Sequence, residues 1–156
     1  MNIRRAEEKD IDKILDLLSQ GLEIHAAIRP DLFIPGTTKY PKEELLEIIQ
    51  DDQRPIYVAA DENDLVLGYA FCAIRHQPER SNLVQFKYFY IDDLCVDQKL
   101  RRQHIAGELF EYVKKEARRI GCYEIMLNVW EGNEAAKRFY DSKGFKPRNT
   151  TMEFIL

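Results

Sequence analysis

The chain has 156 residues, 45% of them hydrophobic and 32% charged, with a formal net charge of −4. That balance fits one globular domain over residues 1–156 with material for a single core. The acidic sign argues against a nucleic-acid partner, which needs a basic surface, and no apolar run is long enough to span a membrane.

The opening MNIRRAEEKD has no apolar signal core, so a cytoplasmic location is expected. Residues 2–6 read as a short strand. Residues 7–20 follow as a helix, with Ile11, Ile14, Leu15 and Leu18 at helical spacing. That helix either ends there or continues to about Arg29, where Pro30 stops it. Residues 41–50 read as a second helix, because Pro41 suits the first helical position and Glu43 and Glu44 suit the first turn.

Residues 56–60 and 65–74 flank Asp-Glu-Asn-Asp and read as a hairpin. Residues 83–96 are rich in Val, Phe, Tyr and Ile and read as a strand long enough to carry a bulge or bend. A helix over 105–120 buries Ile105, Leu109, Val113, Ala117 and Ile120, gathers Lys114, Lys115, Arg118 and Arg119 at its C-terminal end, and stops at Gly121. Residues 123–130 read as a strand. Residues 133–142 read as a short helix capped by Asn133 and stopped before Gly144. Residues 145–146 and 151–156 read as final strands. The pattern is a mixed α/β (α+β) fold built on a central sheet.

Three cysteines, Cys72, Cys95 and Cys122, each sit in an apolar stretch. The odd number and the absence of a CxxC pair point to reduced, buried thiols. With three scattered histidines, no metal site is expected.

The segment LCVDQKLRRQHIAGELFEYVKK carries an electrostatic oddity. Arg101 and Arg102 stand where a helix begins, at its positive end, which favours anions. A bound anion resolves the conflict, because free N–H groups at a strand-to-helix turn cradle phosphate and flanking arginines strengthen the contact. Side chains splayed into solvent are the alternative. Neither a GxxxxGK[ST] loop nor a GxGxxG fingerprint is present, so any nucleotide is held by another scheme.

The run IDDLCVDQKLRRQHIAGEL resembles the acyl-CoA-binding segment of the GNAT family of acetyl-CoA-dependent N-acetyltransferases, whose pattern is [Q/R]xxGx[G/A]. Residues 101–106 fit it, with His104 where glycine is usual. A second run, NVWEGNEAAKRFYDSKGF, resembles the family's NxxAxxFYxxxGF segment at Asn133, Ala136, Phe139, Tyr140, Gly144 and Phe145. The order of elements agrees along nearly the whole chain. The resemblance implies the GNAT-type acyl-CoA N-acyltransferase fold, a central mixed, mostly antiparallel sheet flanked by helices.

The resemblance also implies roles. The backbone of Leu94, Cys95 and Val96 would pair with the pantetheine arm of acetyl-CoA. The N–H groups of Gln103, His104, Ile105, Ala106 and Gly107 would hold the pyrophosphate, with Arg101 and Arg102 as flanking cations. Small Ala106 and Gly107 let the backbone approach the phosphates. Tyr140 would protonate the leaving thiolate as general acid. Asn133 would contact the pantetheine or an ordered water, though as an N-cap it needs no such role. Strand alternation puts Asp92 and Asp93 on opposite faces, so only one can serve as base, and Asp92 is the choice.

The resemblance places acceptor residues on the first two helices and the loop between them, where Glu23, His25, Arg29 and Asp31 are the polar candidates; taken singly, each reads first as a surface or capping residue. Tyr88 and Tyr90 either wall an acceptor pocket or belong to the sheet core. The acidic set suits a primary amine, as a small molecule or on a peptide or protein, and Arg29 would suit a carboxylate on it. The competing function is a catalytically silent acyl-CoA-binding sensor or scaffold. An exposed sheet edge at the C-terminal strands is compatible with a homodimer.

Overall fold

In the computed structural model, which describes residues 1–101 and 103–156, five strands line up in chain order. β1 (Asn2–Arg5), β2 (Ile56–Ala60), β3 (Val66–His76) and β4 (Lys87–Val96) are antiparallel neighbours, and β5 (Ile125–Leu127) lies parallel to β4. This is the mixed, mostly antiparallel sheet expected from the sequence.

Alternating residues of the strands feed two cores. On one face, Val58, Tyr69, Phe71 and Cys95 pack against α1 (Ile11–Ile28) and α2 (Lys42–Ile49) through Ile14, Leu17, Leu18, Leu45 and Ile48. On the other, Tyr57, Ala70, Cys72, Phe89 and Ile91 pack against α3 (Ile105–Ile120) through Ile105, Leu109, Phe110, Val113 and Ala117. Phe139 of α4 (Glu134–Ser142) joins that second core. Phe110 takes the fully buried place expected of Ile120, which is only partly buried. α1 runs through to Ile28, the longer of the two expected lengths, and Arg29 caps it.

Three differences from the sequence reading bear on the site. β4 begins at Lys87, because residues 77–86 fold into a loop in which Gln85 Nε2 donates to the Pro78 carbonyl at 2.8 Å. β5 spans three residues rather than eight, since it has a partner along one side only. No strand forms over 145–156. A bulge does form in β4: Phe71 pairs with Asp93 and Cys72 with Ile91, which leaves Asp92 unpaired.

β3 and β4 approach closely at Gly68, opposite Val96. A Cβ on Gly68 would lie 2.8 Å from the Cys95 carbonyl oxygen and 3.2 Å from Val96 Cα, both backbone atoms. Backbone cannot yield as a side-chain tip can. Gly68→Ala is therefore expected to cost about 2–3 kcal/mol, read as a fall of about 5–10 °C in melting temperature. An unchanged melt would mean that the two strands separate freely here.

Candidate active site

The site is built where β4 parts from β5. Their pairing covers only Phe89–Ile91 with Ile125–Leu127. Beyond Ile91, β4 continues through Leu94, Cys95 and Val96, hydrogen-bonded to β3 on one side. Its other edge has no strand partner among the described residues. Unpaired N–H and C=O groups on such an edge accept an extended ligand as an added strand.

The open edge leads into the start of α3. Asp97 ends β4's run and shapes the turn: its carboxylate accepts from Lys99 N at 3.1 Å and from Lys13 Nζ of α1 at 2.6 Å. Those bonds hold the Asp97 carboxyl below the usual carboxylate range, Lys13 being the larger cause. Gln20 of α1 accepts from Gln98 N at 3.0 Å, a second tie between α1 and this turn.

His104 stands immediately before α3 with φ 61° and ψ 15°, the left-handed region. This is the backbone that glycine adopts at no steric cost. The loop therefore keeps a glycine-like course with a histidine in it, and the imidazole is exposed and makes no capping bond. Histidine tolerates this region better than most residues, and β-branched residues scarcely do. His104→Gly is expected to keep the wild-type melting temperature or exceed it. His104→Val should lose about 1–2 kcal/mol, read in the same thermal melts. Equal behaviour of the two variants would remove the backbone account of this position.

The N-terminus of α3 opens on a cavity of about 310 Å³. Val96, Arg101, His104, Ala106, Gly107 and Lys143 contribute to its walls. The structure thus brings together, around one space, the end of β4 and the residues expected to hold phosphates. Gln103 is exposed and Ile105 anchors α3 in the core. The Arg101 charge is felt at Cys95, at the end of β4. Arg102, the other expected cation, lies outside the described residues.

Lys143 escaped the sequence reading. It follows α4, and its ammonium sits 3.2 Å from where a Gly107 Cβ would be. A cation has thus been laid over the positive end of a helix, beside Arg101. No carboxylate pairs with Lys143 among the described residues. The sequence signal was its place one residue before Gly144 in the second motif; its reach toward α3 was not legible.

Tyr140 lies on α4, its ring edge-on to Phe139 and Phe145 at 5.3 and 5.4 Å. Burial pushes its phenol well above the ordinary value, and the charges of Asp93 and Cys72 add to the rise. The hydroxyl therefore stays protonated. Asn133 accepts from Ala136 N at 3.3 Å and so caps α4, which sets Tyr140 in place.

The bulge corrects one expectation. Asp92 and Asp93 do not point to opposite faces. Asp92 is held by Tyr40 and by Lys39 Nζ at 2.9 Å, while Asp93 accepts from Tyr69 OH at 2.7 Å. Tyr40 and Tyr69 both pack on Phe71, with ring centroids 5.5 and 4.8 Å away. Both carboxylates therefore lie on the α1–α2 face, because the extra residue of a bulge breaks the alternation. Removal from water raises the Asp93 carboxyl above the ordinary range, against the lowering effect of the Tyr69 hydrogen bond.

Among the expected acceptor residues, Glu23 accepts from Gly36 N at 2.7 Å and closes the loop that follows α1. Arg29 is taken up by Asp31 and Glu153. His25 packs against Phe33 with the rings tilted at 36°, and Phe33 meets Trp130 edge-on at 5.5 Å, so these rings join α1 to the chain after β5. Tyr90 is buried, with Arg75 over its ring at 3.9 Å and Asn128 donating to its hydroxyl at 2.9 Å. Tyr88 is half-buried on β4. Cys72 and Cys95 are buried, and burial pushes the Cys95 thiol up to about 12. No group of three His, Cys, Asp or Glu side chains that could hold a metal occurs among the described residues. No helix among them is long and apolar enough to cross a membrane.

The sequence model of the Acetyltransferase (GNAT) family matches residues 22–145. The chain is 36% identical over 81 residues to GCN5-related N-acetyltransferase 6, chloroplastic, of Arabidopsis thaliana, a match spanning 52% of this chain and 26% of that protein. A tetramutant of the BH1408 protein of Bacillus halodurans is 30% identical and superposes over 100% of both chains with a TM-score of 0.95. An aminoglycoside acetyltransferase from an uncultured soil metagenomic sample, solved in complex with sisomicin, shares the fold at 20% identity. Its TM-score is 0.71, over 99% of this chain and 94% of that one.

Proposed function

Because the chain belongs to the acetyltransferase (GNAT) family, we propose that it moves an acetyl group from acetyl-CoA to a primary amine by direct attack in a ternary complex. The observation that carries this reading is the open outer edge of β4, which runs from the bulge at Asp92 into the cavity at the start of α3. An extended pantetheine arm matches the edge and a pyrophosphate matches the cavity. Leu94, Cys95 and Val96 offer the strand edge; the N–H groups of residues 103–107 and the cations Arg101 and Lys143 offer the phosphate site. Gly107 leaves room for an anion under the Lys143 ammonium.

Bound acetyl-CoA supplies the thioester. Tyr140 holds a proton that burial keeps in place, and it gives that proton to the departing sulfur. Burial raises a thiolate's proton affinity as it raises a phenolate's, so the two stay matched. An ammonium substrate must first lose a proton. Asp93 takes this role in preference to Asp92: burial raises its carboxyl above the ordinary range and its charge reaches Tyr140. Asp92, engaged with Lys39 and Tyr40, shapes the acceptor side instead.

Calorimetric titration with acetyl-CoA, followed by thiol release against a panel of amines, tests the reading. Binding with amine-dependent release is the expected result. Binding without release from any amine would favour the acyl-CoA sensor. Absence of binding would overturn both.

A further inference from the structure

The acceptor side of the sheet carries a cation that nothing there neutralises. Arg75 pairs with Tyr88 across β3 and β4, and its guanidinium carbon lies 3.9 Å from the centroid of the Tyr90 ring. Ile74, Phe89 and Ile91 belong to the core under α3, so alternation turns Arg75, Tyr88 and Tyr90 to the other side. Asp92 and Asp93 lie on that side too, held by Tyr40 and Tyr69. α1 and α2 cover it through Tyr69 and Phe71. Beyond Phe71, Arg75, Tyr88 and Tyr90 join neither core and form a shelf beside the aspartates.

The guanidinium on that shelf is held in place with its donors unspent. A guanidinium stacked on a ring uses its flat face, while its N–H donors lie in its plane and stay available. The Tyr90 ring is itself fixed, because Asn128 Nδ2 donates to its hydroxyl at 2.9 Å. No carboxylate pairs with Arg75 among the described residues. Asp92 is engaged with Lys39, Asp93 with Tyr69 and Glu124 with Arg148. Acidic side chains outnumber basic ones in the chain, 27 to 23, so the lack of a partner is local. Arg29, the cation that the sequence offered for a carboxylate, is in the opposite condition: Asp31 and Glu153 already occupy it.

The shelf therefore shows two signs of charge in a fixed order, carboxylates at the bulge and a guanidinium beyond it. Tyr90 and Asp92 stand two residues apart on β4, about 7 Å in an extended strand, a span that one small molecule covers. Its partner in charge is a molecule with an ammonium at one end and an anion at the other. A single planar fork of N–H donors matches a carboxylate in shape as well as in charge.

We infer that the acceptor is an amino acid whose carboxylate is bound by Arg75 while its amine lies at the aspartates; this rests on the acetyltransferase reading above. The ammonium form of the amino acid and acetyl-CoA give the N-acetylamino acid, the thiol of CoA and one proton released to water. Arg75 takes no part in making or breaking bonds. It selects the acceptor and sets the distance of the amine from the thioester.

The test uses pairs of acceptors that differ only in the carboxylate: glycine, β-alanine and 4-aminobutyrate, each beside its own amide. Binding to the full chain is measured by calorimetry with CoA present, and turnover by thiol release from acetyl-CoA. In at least one pair the acid should bind about 10- to 100-fold more tightly than the amide, the range of a charge-assisted hydrogen bond, and show a correspondingly lower KM. Arg75→Met keeps an unbranched cover on the Tyr90 ring and should bring that ratio close to one. Arg75→Lys, a charge without the fork, should restore part of it, and Arg29→Met should leave it in place. Arg75 is exposed, and thermal melts would verify that its variants fold. Equal binding of acid and amide in every pair would overturn the inference, as would a preference that survives Arg75→Met or disappears in Arg29→Met. Arg75-dependent binding of an acid without thiol release would uphold the carboxylate site and overturn the transferase reading. Thiol release with no preference in any pair would do the reverse.

Discussion

Asp93→Asn is expected to lower turnover by about 100- to 1,000-fold while leaving acetyl-CoA affinity unchanged, the loss typical of removing a general base. Asparagine keeps the shape and can still accept the Tyr69 hydroxyl bond of 2.7 Å; it cannot take a proton from an ammonium. The pH profile supplies the sharper readout. Asp93 must be ionised to act, and burial raises its carboxyl above the ordinary range. Wild-type turnover should therefore fall on the acid side through a value above the ~3.9 of a free aspartate, and the variant should lack that limb. Unfolding does not account for such a loss. A carboxyl raised in the folded state costs stability as pH climbs from the unfolded value through the folded one. Asparagine removes that cost, so the variant should melt at or above the wild-type temperature at neutral pH. If Asp92→Asn produces the loss and Asp93→Asn does not, the roles of the two carboxylates are reversed. Tyr140→Phe belongs to the same test: as acid it should lower turnover across the neutral range, because burial keeps its phenol protonated there.

The sequence carried some parts of this site and not others, for identifiable reasons. α3 was legible to the residue, because an amphipathic stripe and a terminal glycine are local signals, and Gly121 does adopt the left-handed φ of 85° that ends a helix. Arg101 next to a helix start was legible as a charge in the wrong place. The aspartate faces were not. Alternation is a rule for regular strands, and the bulge that suspends it lies in the register between Phe71 and Cys72, a property of two strands together. The reach of Lys143 to Gly107 was equally hidden, since it depends on how α4 lies against α3. The C-terminal segment has the composition of a strand, but composition does not name a partner. The position of His104 falls between these cases. Its departure from glycine was plain in the sequence, whereas its left-handed backbone had to be seen.

Lys143→Glu should weaken acetyl-CoA binding by about 10- to 100-fold, the worth of a charge-assisted hydrogen bond to phosphate. The argument is electrostatic. The N-terminus of α3 is positive, Arg101 is beside it, and Lys143 extends its ammonium over Gly107 into the same cavity. In the empty site these charges repel. A pyrophosphate between them turns each repulsion into an attraction, so the lysine's position makes sense only with the anion present. The contact of its ammonium with the Phe139 ring, 5.7 Å to the centroid, is worth about 0.5–1 kcal/mol at an exposed site. That contact lies too far out to fix the side chain alone. The decisive control is a donor without phosphates. With acetyl-pantetheine the variant should match the wild type in turnover, and its deficit should appear only with acetyl-CoA. Lys143→Arg should recover most of the affinity, and the salt dependence of acetyl-CoA binding should flatten in Lys143→Glu as one phosphate contact is lost. An equal deficit on both donors would place Lys143 in the scaffold of α4 rather than at the phosphates. Full affinity for acetyl-CoA in Lys143→Glu would mean that the anion lies elsewhere in the cavity, held by Arg101 and the backbone of residues 103–107 without it.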